Sequence, residues 1–263
     1  MPRANRYHIP GCIWHITHRC HKREFLLKFA RDRRRWVRWL FEARKRYGLI
    51  VLNYMVTSNH IHLLVVDGAD ESTISRSLKL VAGRTAQEYN LRKGRKGAFW
   101  EDRYHATAVE SGKHLRRCMA YIDLNMCRTG TVEHPLQWEC CGYHAIQEPP
   151  LRYRIIDRER AAILLGYHEA ADLATGQRDW VAGGQEAMSS RDVAWSESVA
   201  IGSEAFVNDI QMRLDIRAVH RRINQDADRH ILREARTPYI TNSGHETSAL
   251  SFDNSRSWRL NDS

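Results

Sequence analysis

His60 and His62 flank a single residue in the stretch Asn59-His60-Ile61-His62-Leu63-Leu64-Val65. On a β-strand side chains alternate between faces, so both imidazoles point one way while Ile61 enters the core. Two imidazoles on one face can hold one divalent cation. The same short pattern also fits two half-exposed histidines on an ordinary strand, so residues elsewhere must decide. Tyr121 and Asn125, in Tyr121-Ile-Asp-Leu-Asn125, are spaced to share one helical face. Tyr121 brings a phenol, which becomes a nucleophile once its proton is removed or its oxygen charge is stabilised. Asn125 brings a neutral oxygen donor suited to a hard cation. Laid across the strand of His60 and His62, that helix would gather three ligands beside a tyrosine.

The chemistry such a set suits is phosphodiester transfer on DNA. A cation held there would polarise the scissile phosphate and help the 3′-oxygen depart. Tyr121 attacks phosphorus, giving a 5′-phosphotyrosine and a free 3′-OH. That linkage keeps the bond energy, so joining to another strand needs no ATP. A two-histidine site with an oxygen ligand and open water positions suits Mg²⁺ or Mn²⁺ at nucleic acid, although imidazole by itself favours Zn²⁺.

The elements that must position these residues can be read along the chain. Ile13 to Cys20 alternates as a strand, and Phe29 to Tyr47 has apolar residues at helical spacing, with Gly48 at its stop. Leu49 to Val56 and His60 to Val66 are strands joined by Thr57-Ser58-Asn59, a connection too short for a crossover, which makes them antiparallel. Ser72, as cap, opens a helix to Leu91, and Arg92 to Gly97 is a basic loop punctuated by glycine. A fourth strand lies within Ala98 to Glu110, and a third helix runs from Ser111 to about Cys127. The order β-α-β-β-α-β-α predicts an α+β fold, a ferredoxin-like split βαβ with an antiparallel sheet. Pro149-Pro150 marks a boundary. The expected organisation is a first domain over 1–148, a mostly helical extension over 149–236 with helices near 157–175 and 195–217, and a poorly ordered tail over 237–263.

Charge is uneven along the chain. The 263 residues carry a formal net charge of +10, yet residues 1–150 hold 26 basic and 14 acidic side chains, and residues 151–263 hold 15 and 17. The basic excess therefore belongs to the first part, and nucleic acid is the default polyanion for it. Hydrophobic residues make up 43% and support a real core. The mean hydropathy of −0.57 and the lack of a long apolar run argue against a membrane partner. Met1-Pro-Arg-Ala-Asn-Arg6 has no apolar segment of the secretory kind, and the six cysteines form no Cys-x-x-Cys pair. Free thiols and a cytoplasmic location are expected.

These motifs together resemble the single-tyrosine HUH transposases, and more narrowly the REP-associated tyrosine transposases of the insertion-sequence-200-like superfamily. The resemblance rests on Asn59 to Val65 and on Tyr121 to Gly130. It also rests on Tyr7-His-Ile-Pro-Gly11-Cys-Ile-Trp-His15-Ile-Thr-His-Arg19 and Phe99-Trp100-Glu-Asp-Arg103-Tyr104, four motifs in order over roughly residues 1–145. It implies that His60, His62 and Asn125 hold the metal, where the insertion-sequence enzymes use glutamine in place of Asn125. It implies that Tyr121 is the nucleophile. It implies a substrate of single-stranded DNA bearing short palindromic hairpins, cut and rejoined nearby. Family members commonly follow the motif's asparagine with Pro-Val, whereas Met126-Cys127 stand here. That departure bears on where the helix ends rather than on the ligands. Insertion-sequence relatives are dimers and REP-associated members can act as monomers, so monomer or homodimer is expected, with the monomer favoured.

DNA contacts are expected from Arg33, Arg34, Arg35, Arg38, Arg44, Lys45 and Arg46 on the first helix, with Trp36 and Phe29 turned to the core. The loop residues Arg92, Lys93, Arg95 and Lys96 would track a strand or a hairpin stem. Arg103 and Arg117 lie near the site, and Arg117, on the Tyr121 face, would hold the scissile phosphate. His15 and His18 fall on opposite faces of the first strand and so make no second matched pair. Three rivals share the motifs: a replication-initiator-type nickase, a hairpin-specific DNA-binding regulator with an unused site, and a hydrolase that uses water and no Tyr121.

Overall fold

A computed structural model describes residues 8–186, 192–214, 221–226 and 228–234. The chain order opens with β1 (Ile13–Arg19), α1 (Ala30–Tyr47), β2 (Ile50–Val56), β3 (His60–Val66), α2 (Thr73–Lys93) and β4 (His105–Val109). β3 pairs antiparallel with β2 and with β1, and β1 pairs antiparallel with β4. The spatial order β2-β3-β1-β4 is the split βαβ arrangement that the element order predicts. α3 (Lys113–Asp123) and the single turn α4 (Asn125–Arg128) follow.

The two faces of this sheet are covered differently. α1 packs along α2 on one face, where Trp100 Nε1 donates to the Ala82 carbonyl of α2 and the Trp100 ring stacks on His18. α3 covers the other face, on which cross-strand register places His15, Thr17 and Arg19 of β1 beside Leu64, His62 and His60 of β3. Because both faces are covered, β2 and β3 are buried almost throughout rather than alternately. That double cover is why Leu63-Leu64-Val65-Val66 reads as an apolar run.

Beyond residue 130 come α5 (Gly142–Gln147), α6 (Arg158–Leu165), α7 (Ala170–Glu186), α8 (Ala194–Glu197), β5 (Ala200–Gly202), α9 (Glu204–Leu214), β6 (Arg221–Asp226) and β7 (Arg229–Glu234). The extension carries four helices, as expected of a mostly helical segment, and it also adds three strands. β5 pairs parallel with β4, β7 antiparallel with β5, and β6 with β7, extending the same sheet to seven strands. The helix expected over 195–217 is present as two pieces, α8 and α9, interrupted by the three-residue strand β5, and 215–217 lie outside the described residues. Val199, Ala200 and Ile201 are too short an apolar run to announce a strand, yet all three are buried against the sheet. β6, Arg-Arg-Ile-Asn-Gln-Asp, is a polar edge strand with no apolar alternation for a sequence pattern to catch. The tail expected over 237–263 lies outside the described residues.

Smaller corrections have local causes. Phe29 is 57% exposed and caps α1 rather than entering the core, and α2 runs on to Lys93, so Arg92 and Lys93 are helical. Ser72 does not cap α2 with its side chain; its hydroxyl donates to Asp70 Oδ1 at 2.7 Å. The third helix breaks at Leu124 and resumes as α4, with Gly130 (φ 68°) closing the turn beyond. All six cysteines are buried thiols. No described helix is long and apolar enough to cross a membrane.

Candidate active site

The site lies where the start of β3 meets the end of α3. Thr57-Ser58-Asn59 turns the chain between β2 and β3, and Thr57 Oγ1 cross-links that turn. It donates to the His60 carbonyl at 2.8 Å and accepts from the backbone N–H of His60 at 3.1 Å. The turn holds the His60 ring as well as its backbone. His60 Nδ1 lies 2.7 Å from Asn59 Oδ1, and Asn59 Nδ2 is spent on the Arg23 carbonyl at 3.3 Å. An amide oxygen only accepts, so His60 Nδ1 carries the hydrogen and Nε2 presents a lone pair.

His62 is held from behind. Its Nδ1 lies 3.0 Å from His15 Nε2, the two rings are stacked with centroids 5.1 Å apart, and His15 Nδ1 lies 2.8 Å from the Trp195 carbonyl. His15 is fully buried, and that burial lowers its pKa to about 3, which keeps the ring neutral.

The remaining atoms converge in front. His60 Nε2 and His62 Nε2 are 3.0 Å apart, and the Asn125 amide Nδ2 is 3.0 Å from His62 Nε2. Rotating that carboxamide puts its oxygen in the same place. Two ligands bound at 2.1 Å and at right angles on an octahedral cation would stand about 3 Å apart. His62 Nε2 thus has a second imidazole nitrogen and a carboxamide within 3.0 Å, and those donor types suit a divalent cation. Among the described residues no cluster of three His, Cys, Asp or Glu side chains is arranged to hold a metal, and the group beside the histidine pair is the Asn125 carboxamide.

Tyr121 stands beside them. Its ring centroid is 5.7 Å from that of His62 and 6.1 Å from that of Trp195, and its side chain opens on a cleft of about 1050 Å³. Arg128 lies over the ring with its guanidinium carbon 4.2 Å from the centroid, and its Nη2 donates to the Tyr121 carbonyl at 2.6 Å. The break at Leu124 does not separate Tyr121 from Asn125; both still meet His62.

The cleft is basic. Arg19, Arg23, Arg103 and Arg128 outnumber Glu101 and Asp102 in its lining, Arg19 standing 3.9 Å from Glu101, and the exposed Phe25 lies beside them. Of the sequence-predicted DNA contacts, Arg103 is brought there. Arg117 is not: it is outside the cleft lining and lies 2.6 Å from Oδ1 of Asp228, the residue just before β7. The α1 arginines cover a different surface. Arg34 pairs with Glu139 at 2.6 Å, Arg35 with Glu88 at 3.3 Å, Arg46 with Glu42 at 3.3 Å, and Arg33 stacks over Trp138 at 4.3 Å. Arg38 and Lys45 are exposed on the same helix, and Arg44 is half-buried. Arg92 pairs with Asp32, Arg95 with Glu24 at 3.6 Å, Lys93 lies over the Phe29 ring, and Lys96 is exposed. Trp39 is packed and covered by Arg84.

Sequence reasoning missed His15, Trp195, Arg19 and Arg23. The period of two on β1 puts His15 and Arg19 on one face, which was a usable signal for Arg19. Nothing in the sequence joins residue 195 to residue 15.

Comparison with known proteins agrees with the first half of the chain. Residues 8–125 match the family of IS200-like transposases. No curated protein matches. Two solved structures are similar at low identity. One is a REP-associated tyrosine transposase bound to a REP hairpin, 21% identical, covering 55% of this chain and 84% of its own, with a TM-score of 0.45. The other is a protein from Deinococcus radiodurans R1 described as a transposase, 14% identical, covering 50% of this chain and 98% of its own, with a TM-score of 0.33.

Proposed function

We propose that this chain, matched to the IS200-like transposases over residues 8–125, is a DNA strand transferase that uses Tyr121 as its nucleophile. The observation that carries the reading is the convergence of His60 Nε2, His62 Nε2 and the Asn125 amide beside the Tyr121 ring, at the wall of a basic cleft. His60, His62 and Asn125 would hold Mg²⁺ or Mn²⁺, which when bound would supply Lewis-acid polarisation of a phosphodiester.

The chain's own residues do the rest. Arg19, Arg23 and Arg103 seat the sugar-phosphate backbone along the cleft. The Tyr121 oxygen attacks phosphorus: an O–P bond to the phenol forms, the P–O3′ bond breaks, the phenol gives up its proton, and the 3′-oxygen takes one to become a hydroxyl. Arg128 places positive charge over the ring whose oxygen must carry negative charge as it attacks. The product is a 5′-phosphotyrosine, and attack on it by another 3′-OH reverses the chemistry and joins strands. Single-stranded or hairpin DNA suits an open cleft lined by arginines better than a groove-reading helix would.

The test is covalent trapping. The whole chain and its Tyr121→Phe variant are incubated with labelled single-stranded hairpin DNA and Mn²⁺, then resolved on a denaturing gel. The expected result is a protein–DNA band that disappears in the variant and with chelator. Tight binding with no adduct would favour a DNA-binding regulator, and cleavage that persists in Tyr121→Phe would make water the nucleophile.

A further inference from the structure

The hydrogen-bond chain behind His62 has a direction, and the direction is set by a backbone carbonyl. The Trp195 oxygen can only accept, so His15 Nδ1, 2.8 Å away, is its donor. A neutral His15 with hydrogen on Nδ1 has an acceptor at Nε2. That Nε2 lies 3.0 Å from His62 Nδ1, which must then be the donor. His62 with hydrogen on Nδ1 presents its Nε2 lone pair toward His60 Nε2 and the Asn125 amide, each 3.0 Å away.

We infer that His15 is a positioning residue, and that the Trp195 carbonyl, acting through it, fixes the tautomer in which His62 offers Nε2 as a ligand. The inference deepens the metal-site reading above and rests on it. It extends the site past the family-matched stretch, because residue 195 lies well beyond residue 125.

The segment carrying that carbonyl is itself pinned. Thr107 Oγ1 of β4 donates to the Ser198 carbonyl at 2.7 Å and stands 3.3 Å from the Trp195 oxygen, and His105 Nε2 donates to the same Ser198 carbonyl at 2.9 Å. Trp195 is buried, with its ring against Tyr121. A loose loop could not set a proton's position two rings away, whereas this one is tied to β4 through the Ser198 carbonyl and to β7 through the Asp192–Arg229 ion pair. Partners that orient a ligating histidine are commonly worth 10- to 100-fold in metal affinity, roughly the scale expected here.

The test separates the relay from the metal. Whole chain labelled with ¹⁵N-histidine is examined without metal by long-range ¹H–¹⁵N correlation, with the His62 signals identified by their loss in His62→Gln. The expected spectrum has hydrogen on Nδ1 of both His15 and His62. In His15→Phe, which removes the acceptor, His62 is expected to shift toward hydrogen on Nε2, and Mn²⁺ measured by calorimetry to bind about 10- to 100-fold more weakly. His15→Gln, which returns an acceptor oxygen at that depth, is expected to restore Mn²⁺ binding to within a few-fold of the parent. Hydrogen on His62 Nε2 in the parent chain, or no change in His15→Phe, would overturn the relay. Should His15→Phe not fold, the parent spectrum alone decides. If the tautomers are as stated but the parent binds no Mn²⁺, the metal reading fails and the relay stands.

Discussion

At the scale of single residues, the site is built from side chains whose partners leave them one role each. His60 is turned by Asn59 and Thr57, His62 by His15, and Arg128 is fixed over Tyr121 by its bond to the Tyr121 carbonyl. One buried residue nearby carries a cost that can be read in stability. Asp123, two positions from Tyr121, is completely buried and accepts from Asn53 Nδ2 at 2.9 Å and Gln177 Nε2 at 2.7 Å. Burial raises its pKa to about 7 despite those two donors. The folded chain therefore keeps the proton where the unfolded chain, with an aspartate near 3.9, has lost it. Stability from this group is fully present below about pH 4 and is lost as pH rises toward 7. Urea unfolding of the parent and Asp123→Asn across pH 4 to 8 should show the parent losing ground to the variant by up to about 1.4 kcal/mol per pH unit, levelling above 7. A pH-independent difference would mean that Asp123 is ionised throughout the range.

At the scale of elements, α3 and β2 are locked through the same Asp123–Asn53 bond, and β2 bulges between Val51 and Asn53 to bring Asn53 to that face. α5 closes on the bulge. Its first residue, Gly142, lies so near that an added Cβ would stand 2.1 Å from Asn53 Oδ1 and 2.8 Å from Ile156 Cδ1. Asn53 cannot move aside without releasing Asp123 or the N–H of Tyr54, which donates to Asn53 Oδ1 at 2.8 Å. Gly142→Ala is expected to cost about 1–3 kcal/mol by overpacking, seen as a lower urea midpoint at unchanged slope. A neutral outcome would show that β2 can relax around α5.

At the scale of the whole molecule, the first part of the chain carries the basic excess while the extension supplies acidic partners as well as strands. Asp228 of the extension pairs with Arg117, which lies outside the cleft lining. DNA affinity should fall with salt, and for single strands each neutralised phosphate contributes about 0.7 to the logarithmic slope. Arg103→Ala, at the cleft, is expected to lower that slope by about this amount, whereas Arg117→Ala should leave it unchanged. Equal effects from both would place the DNA across the β6–β7 turn as well. The extension also continues the sheet through the parallel β4–β5 pairing, so the site is walled by two parts of the chain distant in sequence.

What the sequence determined by itself is what short-range rules encode. The period of two put His60 and His62 on one face, the helical period put Tyr121 and Asn125 on one face, and the brevity of Thr57-Ser58-Asn59 made β2 and β3 a hairpin. The resemblance of the motifs agrees with the family match over residues 8–125. Tertiary structure alone decided which charges face the cleft, because an arginine's use depends on whether a carboxylate such as Glu139 or Asp228 arrives from another element. It alone revealed β5 to β7, since short or polar strands are stabilised by their neighbours rather than by their own pattern. And it alone joined Trp195 to His15 and His62, because a backbone carbonyl accepts a hydrogen bond whatever its residue type and leaves no mark in the sequence.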